Sequence, residues 1–214
     1  VSVHIGLNSM TLMQWGSEAQ KQKYLTPQAK GEKIGAFGLT EPGAGSDVAA
    51  MSSYATRDGD YYILNGQKTW ISLCDVADHF IVFAYTDKEK LHHGISAFIV
   101  EREWAGFSSK AIKGKYGIRA GNTGELFFED VKIPAENLLG EEGEGFKIAM
   151  SALDNGRFTV AAGAVGLMQA CIEASVKYCQ ERATFGKPIG EHQLVGQMLA
   201  KMEAGYEMSR LLVY

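Results

Sequence analysis

The stretch HFIVFAYTDKEKLHHGISAFIVE, residues 79–101, decides the fold class of this sequence. Its two ends, HFIVFAYT and GISAFIVE, are rich in β-branched and aromatic residues, which favour strands. The segment between them, TDKEKLHHG, has the composition of a loop and shows no helical pattern. Further strand candidates of the same kind are IGAFGLT, DYYILNGQ, KTWISL and GELFFEDVKIP. Closely spaced strands without intervening helices predict an antiparallel sheet or barrel.

Helical patterns flank this β region on both sides. Before it, residues 2–30 contain apolar residues and the segment GSEAQKQKYL, which predict short helices with Ser17 as an N-cap. After it, from about Glu144, apolar residues recur at three- and four-residue spacing, which predicts a long helix. A second helix is predicted from about Glu191 to the end of the sequence.

We therefore predict an α+β fold in three parts: a helical part over residues 1–33, a β part over 34–140, and a second helical part over 141–214. Three glycines interrupt the first long helical pattern, namely Gly156, Gly163 and Gly166. Each costs about 1 kcal/mol relative to alanine in a helix. Two explanations stay open: close packing at these positions, or a break near Gly156.

Composition excludes several classes of protein. With 21% charged and 46% hydrophobic residues, the 214-residue chain has the balance of a globular protein. A net charge of −4 without a basic run argues against a nucleic-acid partner. No segment approaches the unbroken apolar length of a membrane span, so none is expected. Three cysteines without a C-x-x-C pair indicate reduced thiols, and the five histidines complete no metal-ligand set. The sequence lacks an initiator Met and ends inside a predicted helix, so we expect a fragment.

The stretch GLTEPGAGSD, residues 38–47, has two interpretations. Its glycines allow consecutive backbone N–H groups to converge on an anion, as in a phosphate cradle. The same composition is typical of a structural turn. A dinucleotide-binding Rossmann motif is disfavoured, because the third glycine and the acidic ribose ligand are both missing and the following segment, AAMSSYATR, has the pattern of a strand.

The stretch NGQKTWISL, residues 65–73, places Trp70 and Ser72 on one face of a strand by the two-residue period. A strand tryptophan commonly belongs to the core. An indole beside a hydroxyl can instead stack on a flat heteroaromatic ring and hydrogen-bond its edge.

Two later stretches carry charged and aromatic residues. In LDNGRF, Asp154 and Arg157 are three residues apart on a helix, as in a surface ion pair. In ERATFGKPIGEHQ, Arg182 can clamp a phosphate and Phe185 can contact a base.

Taken in this order, these stretches resemble the acyl-CoA dehydrogenase family of FAD flavoproteins. The matching segments are LTEPGAGSD, NGQKTWIS, FFEDVKIPAENLLGEEGEGFKIAM and GRFTVAAGAVGLMQACIEASVKYCQERATFGKPIGEHQ. They cover nearly the whole chain, and their order is more specific than any one of them. The resemblance implies an acyl-CoA dehydrogenase-like fold, in which residues 38–47 cradle the cofactor. It also implies that residues 1–33 are the end of an N-terminal helical domain, 34–140 a middle β domain and 141–214 the start of a C-terminal helical bundle domain.

The resemblance also implies which residues hold FAD. Thr40 is expected to bond the flavin ring, with Gly45 and Ser46 near the pyrophosphate, Trp70 stacked on the isoalloxazine and Ser72 near its N5 edge. The implied FAD contacts are Phe37, Leu39, Thr40, Gly45, Ser46, Trp70, Ile71, Ser72, Arg182, Thr184, Phe185 and Gln193. The last four would reach the FAD of a neighbouring subunit, which implies a homo-oligomer, usually a tetramer. Ser46, Asp154 and Arg157 match residues that approach the CoA portion of the substrate.

The implied reaction is α,β-dehydrogenation of an acyl-CoA thioester to the trans-2-enoyl-CoA, with electrons passed to an electron-transfer flavoprotein. A carboxylate removes the α-proton while the β-hydride passes to the flavin. Isovaleryl-type members carry this glutamate directly before the arginine of LDNGR, where this sequence has Gly156. We therefore assign no catalytic residue within the 214 residues, and expect the base to be a glutamate in downstream sequence.

Several alternatives remain open on the same scaffold: an oxygen-using oxidase, a flavin monooxygenase, or a non-catalytic binding relative. After TWIS, the family commonly continues with Asn and a small residue, whereas this sequence has Leu73 and Cys74. Gly156 resembles short-chain members and favours a short or branched acyl group. The expected location is the cytoplasm if the source is bacterial and the mitochondrial matrix if it is eukaryotic.

Overall fold

The computed structural model describes residues 2–214, which fall into two compact units, Val1–Gly156 and Arg157–Tyr214. The three-domain division remains a prediction.

The first unit begins with short helical segments, as predicted. In chain order they are a π-helix Val3–Ser9, α1 Met10–Trp15, α2 Glu18–Gln20, a π-helix Lys21–Leu25 and α3 Thr26–Ala29. Ser17 caps α2: its hydroxyl accepts from the Gln20 N–H at 3.2 Å, and the Gln20 side-chain oxygen accepts from the Ser17 N–H at 3.0 Å. This reciprocal capping box satisfies two donors that the helix leaves free, and it confirms Ser17 as the N-cap.

An eight-stranded sheet follows. The strands are β1 Gly35–Gly38, β2 Tyr54–Asp58, β3 Tyr61–Ser72, β4 His79–Tyr85, β5 Ile95–Glu101, β6 Phe107–Ala111, β7 Thr123–Pro134 and β8 Leu138–Leu139. Their order is β6-β7-β3-β2-β4-β5-β8, with β1 also paired to β4. Most pairs are antiparallel, as predicted, but β1 and β2 both pair with β4 in parallel. The long connection between β1 and β4, which includes the β2–β3 hairpin, brings the chain back to the same end of the sheet.

Three strand predictions need correction. DYYILNGQ and KTWISL form one strand, β3, because Gly66, at φ 144°, lies at a register shift within the strand instead of ending it. AAMSSYATR begins with a helical turn, Val48–Ala50, and becomes a strand only at Tyr54. β6 was not predicted, since its sequence, FSSKA, is short and mostly polar.

The sheet is buried on both faces along β4, and every residue of this strand is buried. Phe80 and Val82 belong to a core cluster lined by β3, β5 and β7. Ile81 and Phe83 point into a second cluster, which the N-terminal helices and the first turns of the next helix cover. A strand buried on both faces has a continuous apolar sequence, which explains the run FIVFAY.

That next helix, α4, spans Gly145–Glu181 without a break, so the break considered near Gly156 does not occur. A Cβ at Gly156 would lie 2.6 Å from Leu7 Cδ2, which supports close packing at this glycine. At Gly163 and Gly166 an added Cβ would meet no described atom within 4 Å.

The second unit contains the rest of α4, a hairpin of β9 Ala183–Thr184 and β10 Lys187–Pro188, a 3-10 turn Ile189–Glu191, and α5 Gln193–Val213. The Tyr206 hydroxyl of α5 donates to the Gln169 side chain of α4 at 3.3 Å. Within residues 157–214, all of them described, Cys179 alone is buried.

One expectation about apolar length was wrong. Helix α4 is long and apolar enough, by length and composition, to cross a membrane, because it combines small residues and valines with few charges. Length and composition alone are weak evidence for a membrane span, and the sequence pattern of a bundle helix accounts for them equally.

Candidate functional site

The glycine loop, residues 38–47, begins where β1 ends. Within it, Glu41 and Ala44 exchange two backbone hydrogen bonds, with N···O distances of 2.9 and 3.1 Å. Pro42 and Gly43 occupy the centre of this turn, and proline is favoured at the first central position. The loop is therefore an ordered turn at the end of a buried strand.

At two positions of the glycine loop, packing within the chain leaves room for a side chain and does not require a glycine. A Cβ added at Gly43 or Gly45 would meet no atom of the described residues within 4 Å, and neither glycine has a positive φ. Gly45 and Ser46 are exposed. Glycine is typical of positions where another molecule approaches the backbone closely. The local geometry therefore favours the cradle over a purely structural turn.

A buried ion pair, which the sequence analysis missed, links the glycine loop to β3. Lys68 Nζ lies 2.8 Å from Glu41 Oε1, and the two side chains are 0% and 3% exposed. The ammonium also donates to the Leu39 carbonyl at 3.2 Å. The Ser52 N–H and hydroxyl donate to Glu41 at 2.6 and 2.7 Å, and the Ser53 N–H donates at 3.0 Å.

Both members of this pair are ionised at neutral pH. Burial opposes ionisation of Glu41, but the Lys68 ammonium and the serine hydrogen bonds outweigh it and lower the pKa of Glu41 to about 2. Burial lowers the pKa of Lys68 to about 8 despite the adjacent carboxylate. The sequence feature that could have revealed this ion pair is a lysine inside a predicted strand, because a buried ammonium requires an acidic partner.

Trp70 follows Lys68 by two residues and has an unusual backbone conformation. Its φ is 60°, in the left-handed region that non-glycine residues avoid, and it lies at a register shift between Lys68 and Ile71. The side chain is 63% exposed, so it is not a core tryptophan. The bulge interrupts the two-residue period from which Trp70 and Ser72 were placed on one face. A strained, exposed aromatic residue beside a glycine turn is typical of a ligand-binding site.

The other predicted FAD residues of the first unit differ in accessibility. Phe37 and Leu39 are buried in the core, where Phe37 packs against Phe83 with ring centroids 5.0 Å apart. Only their backbone is available to a ligand. Ile71 is also buried, whereas Ser72 is half-buried.

Thr40 is half-buried, and its carbonyl accepts from the Thr69 N–H at 2.8 Å, which joins the glycine loop to β3 directly before Trp70. This hydrogen bond places Thr40 next to Thr69, the residue that precedes Trp70. Asp154 and Arg157 lie on α4, three residues apart, and both are exposed.

The four residues expected to reach a neighbouring subunit lie on or beside the β9–β10 hairpin. Phe185 and Gly186 form its tip with φ of 52° and 77°, as a two-residue type I′ turn requires. Phe185 is 97% exposed, and the Thr184 hydroxyl lies 3.0 Å from His192 Nε2. Arg182 precedes the hairpin, and Gln193 begins α5.

Comparison with protein families gives two matches along the chain. Residues 36–131 match the model described as "Acyl-CoA dehydrogenase, middle domain". Residues 143–214 match "Acyl-CoA dehydrogenase, C-terminal domain". The first match contains the glycine loop, Lys68 and Trp70, and the second contains the hairpin and α5.

Curated relatives agree with these matches. The chain is 47% identical, over all of its length, to a short-chain specific acyl-CoA dehydrogenase of Clostridium acetobutylicum, of which it covers 56%. It is 49% identical over 95% of its length to a glutaryl-CoA dehydrogenase of Desulfococcus multivorans, of which it covers 52%. The chain thus spans about half the length of the curated relatives it matches.

Solved structures share the fold. Butyryl-CoA dehydrogenase of Megasphaera elsdenii superposes with a TM-score of 0.94 at 48% identity, over all of this chain and 56% of that one. A chain in a structure described as an electron transferring flavoprotein of Acidaminococcus fermentans superposes with a TM-score of 0.95 at 49% identity, with the same coverage.

Proposed function

Because the chain belongs to the acyl-CoA dehydrogenase family, we propose that the complete protein catalyses FAD-dependent α,β-dehydrogenation of acyl-CoA thioesters to trans-2-enoyl-CoA. The observation that carries this proposal is the glycine loop with its two open glycines, fastened to the strand that presents the strained and exposed Trp70.

The residues present fit FAD. The open backbone at Gly43 and Gly45 leaves room for a pyrophosphate, and Ser46 adds an exposed hydroxyl. The exposed face of Trp70 suits a planar ring, and the half-buried Thr40 and Ser72 would supply hydroxyls to its edge. When bound, FAD would supply the hydride acceptor. Phe37, Leu39 and Ile71 would contribute through their backbone, since their side chains are buried.

The substrate we propose is a short-chain acyl-CoA, in line with the short-chain specific relative and butyryl-CoA dehydrogenase. Ser46, Asp154 and Arg157 would contact its CoA portion. The thioester α-proton is weakly acidic, so the carbonyl must be polarised as enolate charge develops. The base must be a carboxylate whose pKa desolvation raises towards neutrality. We assign this role to a glutamate outside the 214 residues.

We further propose electron-transfer flavoprotein as the electron acceptor, and a homo-oligomer in which the β9–β10 hairpin contacts a neighbouring subunit. The exposed Phe185 at the hairpin tip supports the second proposal. A bacterial cytoplasm and a mitochondrial matrix both agree with the sources of the relatives, which include Clostridium acetobutylicum and a mitochondrial enzyme of Rattus norvegicus.

An anaerobic titration of the complete protein with butyryl-CoA, followed by visible absorption, tests the reaction. We expect a flavin spectrum that bleaches on addition of the thioester. A protein without bound flavin would contradict the cofactor proposal, and bound flavin that no short, branched or longer acyl-CoA bleaches would contradict the activity. Rapid recovery of the spectrum in air would instead indicate an oxygen-using oxidase.

A further inference from the structure

The Glu41–Lys68 pair is the most deeply buried charged feature in the described residues, and no step of the proposed reaction uses it. Both charges are withdrawn from water, which is costly. Replacing such a pair with apolar residues is often neutral or stabilising, so a buried pair is weak evidence of a stabilising role. Its position in the fold is more informative.

The pair joins three segments at one point. Glu41 belongs to the glycine loop, and Lys68 belongs to β3. The third segment is Ser52–Ser53, which leads into β2 and donates three hydrogen bonds to the carboxylate. These bonds hold Glu41 in place. Glu41 in turn closes the turn of the glycine loop through its two backbone hydrogen bonds with Ala44.

The same pair bears on Trp70. Lys68 lies two residues before Trp70, and the intervening Thr69 donates its N–H to the glycine loop at 2.8 Å. Two successive residues of β3 therefore bond the loop immediately before the strand enters the left-handed conformation of Trp70. Strained conformations of this kind persist only where surrounding contacts hold them.

Gly66 makes this arrangement possible. A Cβ at this position would lie 2.8 Å from Ser53 Cα, too close for any side chain, and Gly66 has a φ of 144°. The Ser52–Ser53 segment can therefore approach β3 closely enough to bond Glu41 only because residue 66 is glycine.

We propose that Glu41 and Lys68 are positioning residues for the cofactor site, which hold the glycine loop and Trp70 in the arrangement that accepts FAD. This inference rests on the proposed function. The ion pair acts through its neighbours and does not itself touch the cofactor.

The test uses the complete protein with Glu41→Gln, Lys68→Met and the double variant Glu41→Gln/Lys68→Met. The double variant removes both charges and keeps one of the two oxygen acceptors that Ser52 and Ser53 use. We expect its apoprotein to unfold within about 3 °C of the wild type, because no unpaired charge stays buried. Its FAD dissociation constant should rise about tenfold or more, and the visible spectrum of its bound flavin should shift.

Glu101→Gln is the matched control. Glu101 pairs with Lys23 at 2.8 Å and accepts from the Tyr24 hydroxyl at 2.7 Å, so it too is a hydrogen-bonded, partly buried acid. Glu101 ends β5 opposite His79, and His79 pairs with Gly35 at the start of β1, whereas the glycine loop follows the other end of β1. Its loss should leave the FAD dissociation constant within about twofold of wild type.

A second variant separates positioning from charge alone. Gly66→Ala keeps both charges but displaces Ser53, and we expect it to weaken FAD binding as the double variant does. The inference is overturned if the double variant binds FAD as tightly as wild type, or if affinity falls only in proportion to apoprotein unfolding. Wild-type protein that binds no FAD would instead refute the proposed function.

Discussion

At the scale of single residues, the site combines strain with burial. Trp70 has a backbone conformation that costs of order 1–3 kcal/mol, and it exposes most of its ring. Glu41 and Lys68 are ionised in the core. The strain of Trp70 and the desolvation of the two charges each cost free energy, and all three residues lie on or beside the glycine loop. Such local departures from the usual rules are expected at functional sites.

We predict that Trp70→Gly leaves the stability of the apoprotein nearly unchanged while weakening FAD binding. Relief of the positive φ should offset the lost contacts, so the free energy of unfolding should change by less than about 1 kcal/mol. Trp104→Gly is the control, because Trp104 is half-buried against the core and should cost about 2 kcal/mol or more. Urea unfolding of the two apoproteins measures both values. A large loss of stability in Trp70→Gly would show that the indole is a packing residue.

The Glu41 carboxylate should also govern acid stability. Its folded pKa of about 2 lies below the ordinary value of 4.5, so the unfolded state binds more protons between these values. The stabilisation is present above pH 4.5 and is lost as the pH falls towards 2. We expect a contribution of about 3 kcal/mol, at 1.36 kcal/mol per pKa unit. Unfolding free energies of wild type and Glu41→Gln between pH 2 and 6 should converge at the acidic end. Parallel pH curves would contradict this assignment.

At the scale of secondary structure, local patterns predicted most elements but not their pairing. Apolar runs identified β4, β5 and β7, and Ser17 as a predicted N-cap identified the start of α2. Periodicity cannot report that β1 lies parallel to β4, because that pairing depends on where a distant segment returns. It also cannot show that Lys68 meets Glu41, since the contact joins a loop to a strand 27 residues later. The resemblance located the glycine loop and Trp70, whereas the bulge at Trp70 and the Glu41–Lys68 ion pair are visible only in the three-dimensional structure.

The β9–β10 hairpin makes an element-scale prediction about assembly. Phe185→Asp should leave the hairpin folded, because the side chain is 97% exposed and contributes little to the second unit's own packing. If the hairpin contacts a neighbouring subunit, a carboxylate there is costly, and light scattering should detect a smaller assembly. Tyr116→Asp replaces another fully exposed aromatic residue and should leave the mass unchanged. An unchanged mass for both variants would refute the proposed interface.

At the scale of the whole molecule, the two units differ in how much they bury. The first has two apolar clusters on opposite faces of its sheet. The second has one buried residue among residues 157–214, and its helices expose Leu167, Met198 and Leu212. Burial of apolar surface is the main source of folding free energy. We therefore propose that the apolar helix faces of the second unit pack against further protein in the complete protein.

Amide hydrogen exchange should reveal this difference. In the 214-residue chain, we expect the slowest exchange in β4 and β5, which are buried throughout their apolar runs. Helix α5 should exchange much faster, since none of its residues is buried. In the complete protein, exchange in α5 should slow while that in β4 changes little. Equal protection of α5 in both samples would argue that the second unit is stable alone.

The parallel pairing of β1 with β4 has a consequence for synthesis on the ribosome. The Ile34 N–H bonds to the carboxylate of Asp78, 44 residues later in the chain, and β1 has no other strand partner among the described residues. A nascent chain must therefore expose β1 and the following loop until β4 has emerged, at about 5–20 residues per second. The glycine loop is thus completed only after several seconds of translation, and the apolar strand β1 that precedes it is a natural target for chaperones that bind unfinished chains.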